Sequence, residues 1–362
     1  MQSVEQASGA QNPVVPPASE PDQVWFDMAW NLFLRAEQSN RRVEAFYFRL
    51  AGQVICLRFA GPALFQAISG AFEHLACSPV NNPALTICCW DDVSTGVSTP
   101  EPEFTSHTQG TEFVDGSVRL TFEPACQLFS GYDRARQLGL LHFASVEAVP
   151  GWVWGSPARE ILHWWSSGSG LQLVHAAAVG TPEGVALLIG RGGSGKSTTA
   201  LACLGSSLQY LSDDYCLLSF DGEPRVHSLY GTAKADANSI ARLPRLQSAF
   251  AGSTIHVQGK TVLHLAEYFP QLIREPVPLR ALVVPKIVGG GECRLDPIPA
   301  AAALRALAPS TMFQLAGDRS KIFERLADLV RRIPCWQLSL GPNPDAAQPL
   351  LADLISREIP RS

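Results

Sequence analysis

The sequence has 362 residues, of which 46% are hydrophobic and only 17% are charged. At about 150 residues per domain, this length predicts two domains, or one large domain with an appendage, and the apolar fraction excludes a disordered or coiled-coil chain. The 28 Lys and Arg residues are outnumbered by 33 Asp and Glu, which gives a formal net charge of −5. Because binding to a nucleic acid backbone requires a basic surface, we expect no nucleic acid partner.

Cysteine usage and the first residues bear on the compartment. The nine cysteines are odd in number and form no C-x-x-C pair, so we expect neither a zinc knuckle nor a disulfide framework. Residues 1 to 23 lack Lys and Arg and have no apolar core, which predicts a disordered tail and not a signal peptide. The longest uncharged stretch, residues 161 to 182, is interrupted by SSGSG, His163 and His175, so we expect no membrane span and a cytoplasmic protein.

Residues 24 to 150 predict a smaller N-terminal α+β domain, which could recruit a substrate. Turn signals such as Ala51-Gly52-Gln53 separate its short strands. Residues 91 to 124 are rich in Ser, Thr, Gly and Pro and are interpreted as a surface excursion or an inter-domain connection. The predicted elements are a helix over 24 to 38, two strands in AFYFRLAGQVICLRFAG, a helix over 62 to 76, a strand over 84 to 90 and a strand in SVRLTFE.

Residues 151 to 362 predict an α/β domain. Its strands recur with few helices between them, so we expect a mixed sheet and not a purely parallel one. The strands ALVVPKIV and ECRLDPI are expected to pair with each other. The predicted strands are LQLVHAAAV (171 to 179), VALLIG (185 to 190), LQYLSDDYCLLSF (208 to 220), RVHSLY (225 to 230), ALVVPKIV (281 to 288), ECRLDPI (292 to 298) and CWQLSLG, and the predicted helices lie at 157 to 165, 198 to 204, 299 to 308, 318 to 332 and 346 to 357.

A glycine-rich stretch between VALLI and STTALACL fits the phosphate-binding pattern G-x-x-x-x-G-K-[ST]. A strand before it and a helix after it are the context that this pattern needs, because backbone N–H groups at a helix N-terminus can then converge on phosphate oxygens. Lys196 would bridge the β- and γ-phosphates, and Ser197 would offer its hydroxyl to Mg²⁺. The alternative is an ordinary glycine-rich turn. The stretch consists of Gly190, Arg191, Gly192, Gly193, Ser194, Gly195, Lys196 and Ser197.

Two adjacent carboxylates, Asp213 and Asp214, stand inside an apolar run and are candidate partners for the metal. Burial of such a pair is costly unless a metal, a proton or a cation meets it. Adjacent strand residues point to opposite faces, so one of the two should face the phosphates unless the strand is bulged. The alternative is a solvated turn between two short strands.

His175 lies on the predicted strand before the phosphate loop, and the turn GTPEG joins that strand to the next. A hairpin there would carry His175 to the edge of the sheet where the phosphate loop begins. The alternative is a hydrogen-bonded core histidine. The histidines show no H-x-x-H or H-E-x-x-H spacing, so we expect no zinc site.

The segments HAAAVG, GRGGSGKST and LSDDY resemble the catalytic core of the HPr serine kinase/phosphorylase family, a P-loop fold related to phosphoenolpyruvate carboxykinase. They resemble still more the HPr-kinase-like proteins encoded beside peptide-modification genes, including those of lasso peptides. The likeness continues through LYGTAKAD, LVVPKI and ALAPSTMFQLAG and covers about residues 160 to 340. The fold that this resemblance implies is an α/β P-loop kinase core with a mixed sheet, joined to a smaller N-terminal α+β domain.

The resemblance also implies roles for single residues. The loop and Thr198 would bind the nucleotide, Ser197 and Asp213 would hold Mg²⁺, and Asp213 or Asp214 would accept the proton of the substrate hydroxyl. His175 would assist at the γ-phosphate. Lys234, in GTAK, would add a cation for the transition state, or else it is an exposed loop lysine.

Two departures narrow what the resemblance implies. The HPr enzymes carry Asp and Glu where this sequence has Arg191 and Thr198, and the second signature region, which is associated with phosphorylase activity, has no copy here. We therefore expect a kinase, and HPr itself is not the expected substrate.

The leading functional prediction is transfer of the γ-phosphate of ATP, with Mg²⁺, to a Ser or Thr hydroxyl of a protein or peptide. The alternatives are a small-metabolite kinase and a non-catalytic ATP-binding regulatory module. Decarboxylation of the phosphoenolpyruvate carboxykinase type would need a further transition-metal site, which the sequence does not suggest. The identity of the acceptor, the reversibility of the transfer and a homo-oligomeric state stay open.

Overall fold

In the computed structural model of the chain, the described residues form an α/β fold with three β-sheets. No helix among the residues it describes is long and apolar enough to cross a membrane. The described residues are 20–40, 43–101, 118–257, 259–269, 271–315 and 318–357.

The eighteen strands described are β1 (Val43–Leu50), β2 (Gln53–Ala60), β3 (Leu85–Asp91), β4 (Val118–Glu123), β5 (Leu128–Asp133), β6 (Leu138–Phe143), β7 (Leu171–Val174), β8 (Ala176–Thr181), β9 (Gly184–Ile189), β10 (Gln209–Ser212), β11 (Cys216–Ser219), β12 (Arg225–His227), β13 (Thr232–Asp236), β14 (Ile255–Val257), β15 (Lys260–His264), β16 (Val277–Ile287), β17 (Arg294–Pro297) and β18 (Cys335–Leu340).

The α-helices described are α1 (Glu20–Ser39), α2 (Phe65–Ser69), α3 (Asp92–Thr95), α4 (Gly151–Gly155), α5 (Arg159–Gly168), α6 (Lys196–Cys203), α7 (Ala237–Ala241), α8 (Gln247–Gly252), α9 (Ala300–Met312), α10 (Arg319–Arg332) and α11 (Ala347–Ser356). Short 3₁₀ turns are formed by Gly70–Leu75, Pro244–Leu246, Leu265–Glu267 and Pro344–Ala346.

The first sheet is mixed and has the strand order β1-β2-β3-β6-β5-β4. The predicted turn between β1 and β2 is confirmed, with Ala51 and Gly52 at positive φ. The pair β5 and β6 was not predicted. Two predictions fall partly outside the described residues: the tail, whose last residues 20 to 23 are the first turn of α1, and the surface excursion, of which 102 to 117 are not described.

One face of the first sheet packs against α1, and the other packs into a core that it shares with the second half of the chain. One hydrophobic cluster joins Phe48 and Phe72 of the first half of the chain to Leu217 and Tyr230 of the second half. The rings of Phe72 and Tyr230 have their centroids 5.4 Å apart. The two halves therefore exclude water from a shared interior, a term that grows with the apolar area covered.

The second sheet carries the glycine-rich loop. Its main path has the strand order β10-β8-β9-β16-β12-β11-β7. Outside this path, β18 pairs with β16, and β17 pairs with β18. Strands β9, β16 and β18 are parallel to one another, and β10 runs the same way because both it and β9 are antiparallel to β8. The carboxyl ends of these four strands consequently meet at one edge, which we call the loop edge. Helices α6 and α11 cover one face of this sheet, and α9 and α10 cover the other.

Three predictions about strands are corrected by the second sheet. The expected pair between ALVVPKIV and ECRLDPI is wrong, because β16 pairs with β9, β12 and β18 while β17 pairs with β18. The expected single strand 171 to 179 bends at His175, and the expected strand 208 to 220 is interrupted over residues 213 to 215. The third sheet, β13-β15-β14, and the short helices α7 and α8 were not predicted.

Candidate nucleotide-binding site

The loop between β9 and α6 has the strand–loop–helix context that the sequence predicts. Gly190, Gly193 and Gly195 all have positive φ, at 145°, 76° and 106°. At Gly195 a Cβ atom would also lie 2.5 Å from Cδ1 of Leu340, so only glycine fits both the backbone angle and the packing. Residues 191 to 193 are exposed and lie at the amino end of the helix, where anions are favoured.

Two polar side chains of the loop, Lys196 and Ser194, carry buried polar atoms. Lys196 is only 6% exposed, and its Nζ donates to the carbonyl oxygens of Gly190 at 2.7 Å and Arg191 at 3.2 Å. Burial lowers its pKa, while the charges of the nearby carboxylates oppose that shift. The buried Oγ of Ser194 has no hydrogen-bond partner among the described residues. A buried hydroxyl of this kind is costly unless a ligand bonds to it.

Asp213 and Asp214 occupy a kink between β10 and β11. Asp214 has φ of 62°, its amide donates to Oδ1 of Asp213 at 2.8 Å, and its carbonyl oxygen accepts from the amide of Ala176 at 3.1 Å. The sequence predicts that one carboxylate of a regular strand would face the loop. Because the backbone turns here, both side chains instead lie at the loop edge, with different partners.

Asp213 faces the start of α6. Its Oδ1 accepts from the hydroxyl of Ser197 at 3.1 Å, and the residue is only 3% exposed. A hydroxyl and a carboxylate side by side are oxygen donors of the kind that Mg²⁺ takes alongside substrate phosphates and water. These two residues therefore fit the predicted metal. No group of three or more His, Cys, Asp or Glu side chains placed to hold a metal ion occurs among the described residues.

Asp214 faces the third sheet. Its carboxylate forms an ion pair with Lys234 of β13, whose side chain is 18% exposed. Lys234 reaches this position across Gly155 of α4, where a Cβ atom would lie 2.9 Å from its Nζ. Lys234 is thus a partly buried partner of the aspartate pair and not an exposed loop lysine.

The two carboxylates have opposite pKa shifts. Burial and the neighbouring charge of Asp214 raise the pKa of Asp213 to about 6. Burial acts on Asp214 in the same sense, but Lys234 outweighs it and lowers the pKa of Asp214 below its usual range. Near neutral pH the pair therefore has one firmly ionised member and one that readily takes a proton or a cation.

His175 lies at the bend between β7 and β8, beside the loop edge. The strands β8 and β9 form the predicted antiparallel hairpin, in which Ala176 pairs with Ile189. His175 is 9% exposed, and its Nδ1 has no hydrogen-bond partner among the described residues. Burial, followed by the charge of Lys196, lowers its pKa to about 4, so the imidazole is neutral at pH 7.

Four side chains that the sequence did not single out surround His175 and the kink. Thr311 accepts through Oγ1 from the amide of His175 at 3.1 Å, and the rings of His175 and Tyr215 are 5.5 Å apart. Tyr215 donates to Oε1 of Gln314 at 2.7 Å and accepts from Arg159 at 3.1 Å. Thr311 and Gln314 belong to the segment ALAPSTMFQLAG that carries the resemblance, whereas Arg159 has no sequence signal.

The structure thus brings most of the predicted residues together at the loop edge. Lys196, Ser197, Asp213, Asp214 and His175 interact directly or electrostatically, and Lys234 joins them through Asp214. The remaining predicted residues lie in the loop, where only residues 191 to 193 are exposed, or in the first turn of α6: Gly190, Arg191, Gly192, Gly193, Ser194, Gly195 and Thr198.

Comparisons with known proteins give a distant likeness. No protein-family model matches the sequence, and no curated protein matches it. Among solved structures, the HPr(Ser) kinase/phosphatase from Coxiella burnetii is similar, with a TM-score of 0.27 and 12% identity, over 50% of this chain and 85% of that one. A likeness with so low a TM-score decides neither the fold nor the activity of this chain.

Proposed function

We propose that the protein is an ATP-dependent kinase that transfers the γ-phosphate to a hydroxyl group, that of Ser or Thr in a protein or peptide. The observation that carries the proposal is the convergence at one sheet edge of a phosphate loop, a Ser197–Asp213 pair suited to Mg²⁺, and a second, ionised carboxylate on Asp214. A module that only binds a nucleotide has no need for the second carboxylate.

The residues divide the work of binding between them. The loop amides and Lys196 would hold the phosphate oxygens, and Ser194 would find in them the partner that its Oγ lacks. Ser197 and Asp213 would hold Mg²⁺, which supplies charge neutralisation at the β- and γ-phosphates when bound. The carboxylate of Asp213 would hold the cation in its ionised form, which burial disfavours by raising its pKa.

Transfer would then depend on Asp214 and His175. The acceptor oxygen forms a bond to the γ-phosphorus, the bond from that phosphorus to the β,γ-bridging oxygen breaks, and the acceptor proton passes to the Asp214 carboxylate. Lys234 keeps Asp214 ionised before the reaction. The neutral imidazole of His175 can donate a hydrogen bond to a transferred oxygen without carrying a charge. Positioning and charge compensation are the main contributions in such a mechanism.

Transfer of labelled γ-phosphate from Mg-ATP into peptide and protein fractions of the host tests the proposal. We expect label in a discrete peptide or protein, and no label with Lys196→Ala. Arg49→Ala, which removes an exposed cation from β1, is the matched control and should keep wild-type transfer. Tight ATP binding without label in any fraction would contradict the kinase proposal, and label in a small metabolite would contradict the Ser/Thr acceptor.

A further inference from the structure

The loop edge has two sides, and the chemistry described above occupies only one of them. The glycine-rich loop leaves β9, which stands between β8 and β16 in the sheet. Asp213 follows β10, on the β8 side of β9. Strands β16 and β18 end on the opposite side, at Ile287 and Leu340, which pair with each other.

The orientation of a bound nucleotide follows from this arrangement. In the proposed function, on which this inference rests, the γ-phosphate faces Ser197, Asp213 and Asp214. An extended triphosphate with its γ end on the β10 side has its α end, and therefore its nucleoside, on the side of β16 and β18. Ligands of open α/β sheets characteristically bind beyond the carboxyl ends of the strands, as would this one.

The surface on the second side is apolar and exposed. Ile287, the last residue of β16, and Val288 after it are 55% and 41% exposed, and they follow the exposed Lys286. The Cγ1 atom of Ile287 lies 3.8 Å from the Cβ position of Gly195, which puts the side chain in contact distance of the phosphate loop. The amide of Val288 donates to the carbonyl oxygen of Leu340 at 3.2 Å, so the backbone here is fixed to the sheet.

Three glycines follow these two side chains in the sequence. Residues 289 to 291 are glycines, and a Cβ atom at any of them would meet no other atom within 4 Å. The segment directly after Val288 therefore carries no side chain, and the Cβ positions of its glycines face open space. Exposed branched aliphatic side chains next to a phosphate site can cover one face of an aromatic ring and gain the apolar area that the ring covers.

We propose that Ile287 and Val288 form the nucleoside subsite, on which the base and ribose of the nucleotide lie while the triphosphate extends along the loop toward Asp213. The subsite gives ATP an affinity that an inorganic triphosphate lacks. Because its contacts are apolar and shape-dependent, they do not contribute to holding the phosphates.

Titration of the full chain with Mg-ATP and with magnesium tripolyphosphate, by calorimetry, separates the two parts of the site. We expect the double variant Ile287→Ser, Val288→Ser to weaken ATP binding by about tenfold, from the apolar area lost, and to leave tripolyphosphate binding within about twofold. Val93→Ser, which removes a 74% exposed branched side chain from α3, is the matched control and should change neither.

The outcomes distinguish the subsite from the proposed function. Equal weakening of both ligands, or no effect on ATP, would overturn the subsite but not the proposed function. A wild-type chain that binds neither ATP nor tripolyphosphate would overturn the subsite and the proposed function together. Since both side chains are exposed, the variants should fold, and an unchanged thermal unfolding midpoint verifies that they do.

Discussion

The two large sheets place left-handed backbone at different kinds of position. In the first sheet, Ala51, Gln127 and Gln137 have positive φ at the tight turns that join neighbouring antiparallel strands. In the second sheet, Asp214 has positive φ between two strands, with its carboxylate in an ion pair. A non-glycine residue costs about 1–2 kcal/mol in this conformation wherever it occurs.

The left-handed backbone has a different consequence at the hairpin turns and at Asp214. At the turns, the conformation closes a hairpin, and a glycine could do the same. At Asp214, it aims two adjacent carboxylates at one edge, which a regular strand cannot do because its side chains alternate. Strain of the first kind should be removable without loss of function, whereas strain of the second kind should not be.

Asp214→Asn tests the strained position at the site, and it should have the largest effect on phosphate transfer. Asparagine tolerates the left-handed conformation, so the kink should persist, but the side chain can neither accept a proton nor pair with Lys234. We expect the rate of phosphate transfer to fall by about 10²- to 10⁴-fold with little change in ATP affinity. Transfer rates and ATP titrations on the same preparation measure this split.

A second variant at position 214 separates the effect of losing the carboxylate from the effect of relieving the backbone strain. Asp214→Gly relieves the strain and removes the carboxylate, so it should lose as much activity as Asp214→Asn. If either variant keeps wild-type turnover, Asp214 is a structural residue of the kink and accepts no proton.

Asp213→Asn should have effects of intermediate size, on the stability of the protein and on its Mg²⁺ requirement. The effect on stability should depend on pH. Burial raises the pKa of Asp213 from an ordinary value of 3.8 to about 6 in the folded protein. The folded state thus binds the proton of the Asp213 carboxyl group more tightly than the unfolded state does. The stability that this proton contributes is fully present below pH 4 and is lost as the pH rises through about 6.

Removal of the charge should therefore stabilise the metal-free protein above pH 6. We expect Asp213→Asn to raise the free energy of unfolding by on the order of 2 kcal/mol at pH 8 and to change it little at pH 4. It should also raise the Mg²⁺ concentration needed for half-maximal transfer. Denaturant unfolding at both pH values measures the first effect, and equal stabilisation at both would contradict the assigned pKa.

The buried histidines give a second pH dependence, of opposite sign and outside the site. His227 is 8% exposed, and burial lowers its pKa to about 4 from an ordinary 6.5. The unfolded state then binds the proton more tightly, so stability is complete above pH 6.5 and falls as the pH drops toward 4. We expect His227→Gln, which can still reach Ser219, to remove about 1–2 kcal/mol of the loss of stability between pH 7 and pH 5. An unchanged acid limb in unfolding experiments would contradict this assignment.

Much of the second sheet and of the site could be predicted from the sequence, for physical reasons. The loop pattern fixes a strand, a glycine-rich turn and a helix within twenty residues, and GTPEG fixes the hairpin before it. At Asp213 and Asp214 the favoured prediction of one strand is wrong, because the apolar residues on either side fit an uninterrupted strand. The alternative of a turn between two short strands is what the structure has, but the turn is mostly buried and not solvated. Its geometry depends on tertiary contacts, namely with Ser197, Ala176 and Lys234.

The rest of the fold had weaker local signals. Strand β17 does not pair with β16, because β9 and β18 already pair with β16 on its two sides. Both of these strands are distant from β16 in the sequence, so local patterns do not predict the pairing. The side chains around His175 come from α5 and from the segment after α9, and their position beside the site follows from packing alone.

Ala51→Gly tests the first kind of strain and should give the smallest effect. Relief of about 1–2 kcal/mol of left-handed strain is offset by the greater freedom of glycine in the unfolded chain, which costs about 0.4–1 kcal/mol. We expect a net stabilisation of about 0.5 kcal/mol with phosphate transfer unchanged, since β1 lies at the outer edge of the first sheet. Denaturant unfolding and the transfer assay measure the two results. A loss of transfer in Ala51→Gly would show that the turns of the first sheet also serve the site, which would remove the distinction between the two kinds of strain.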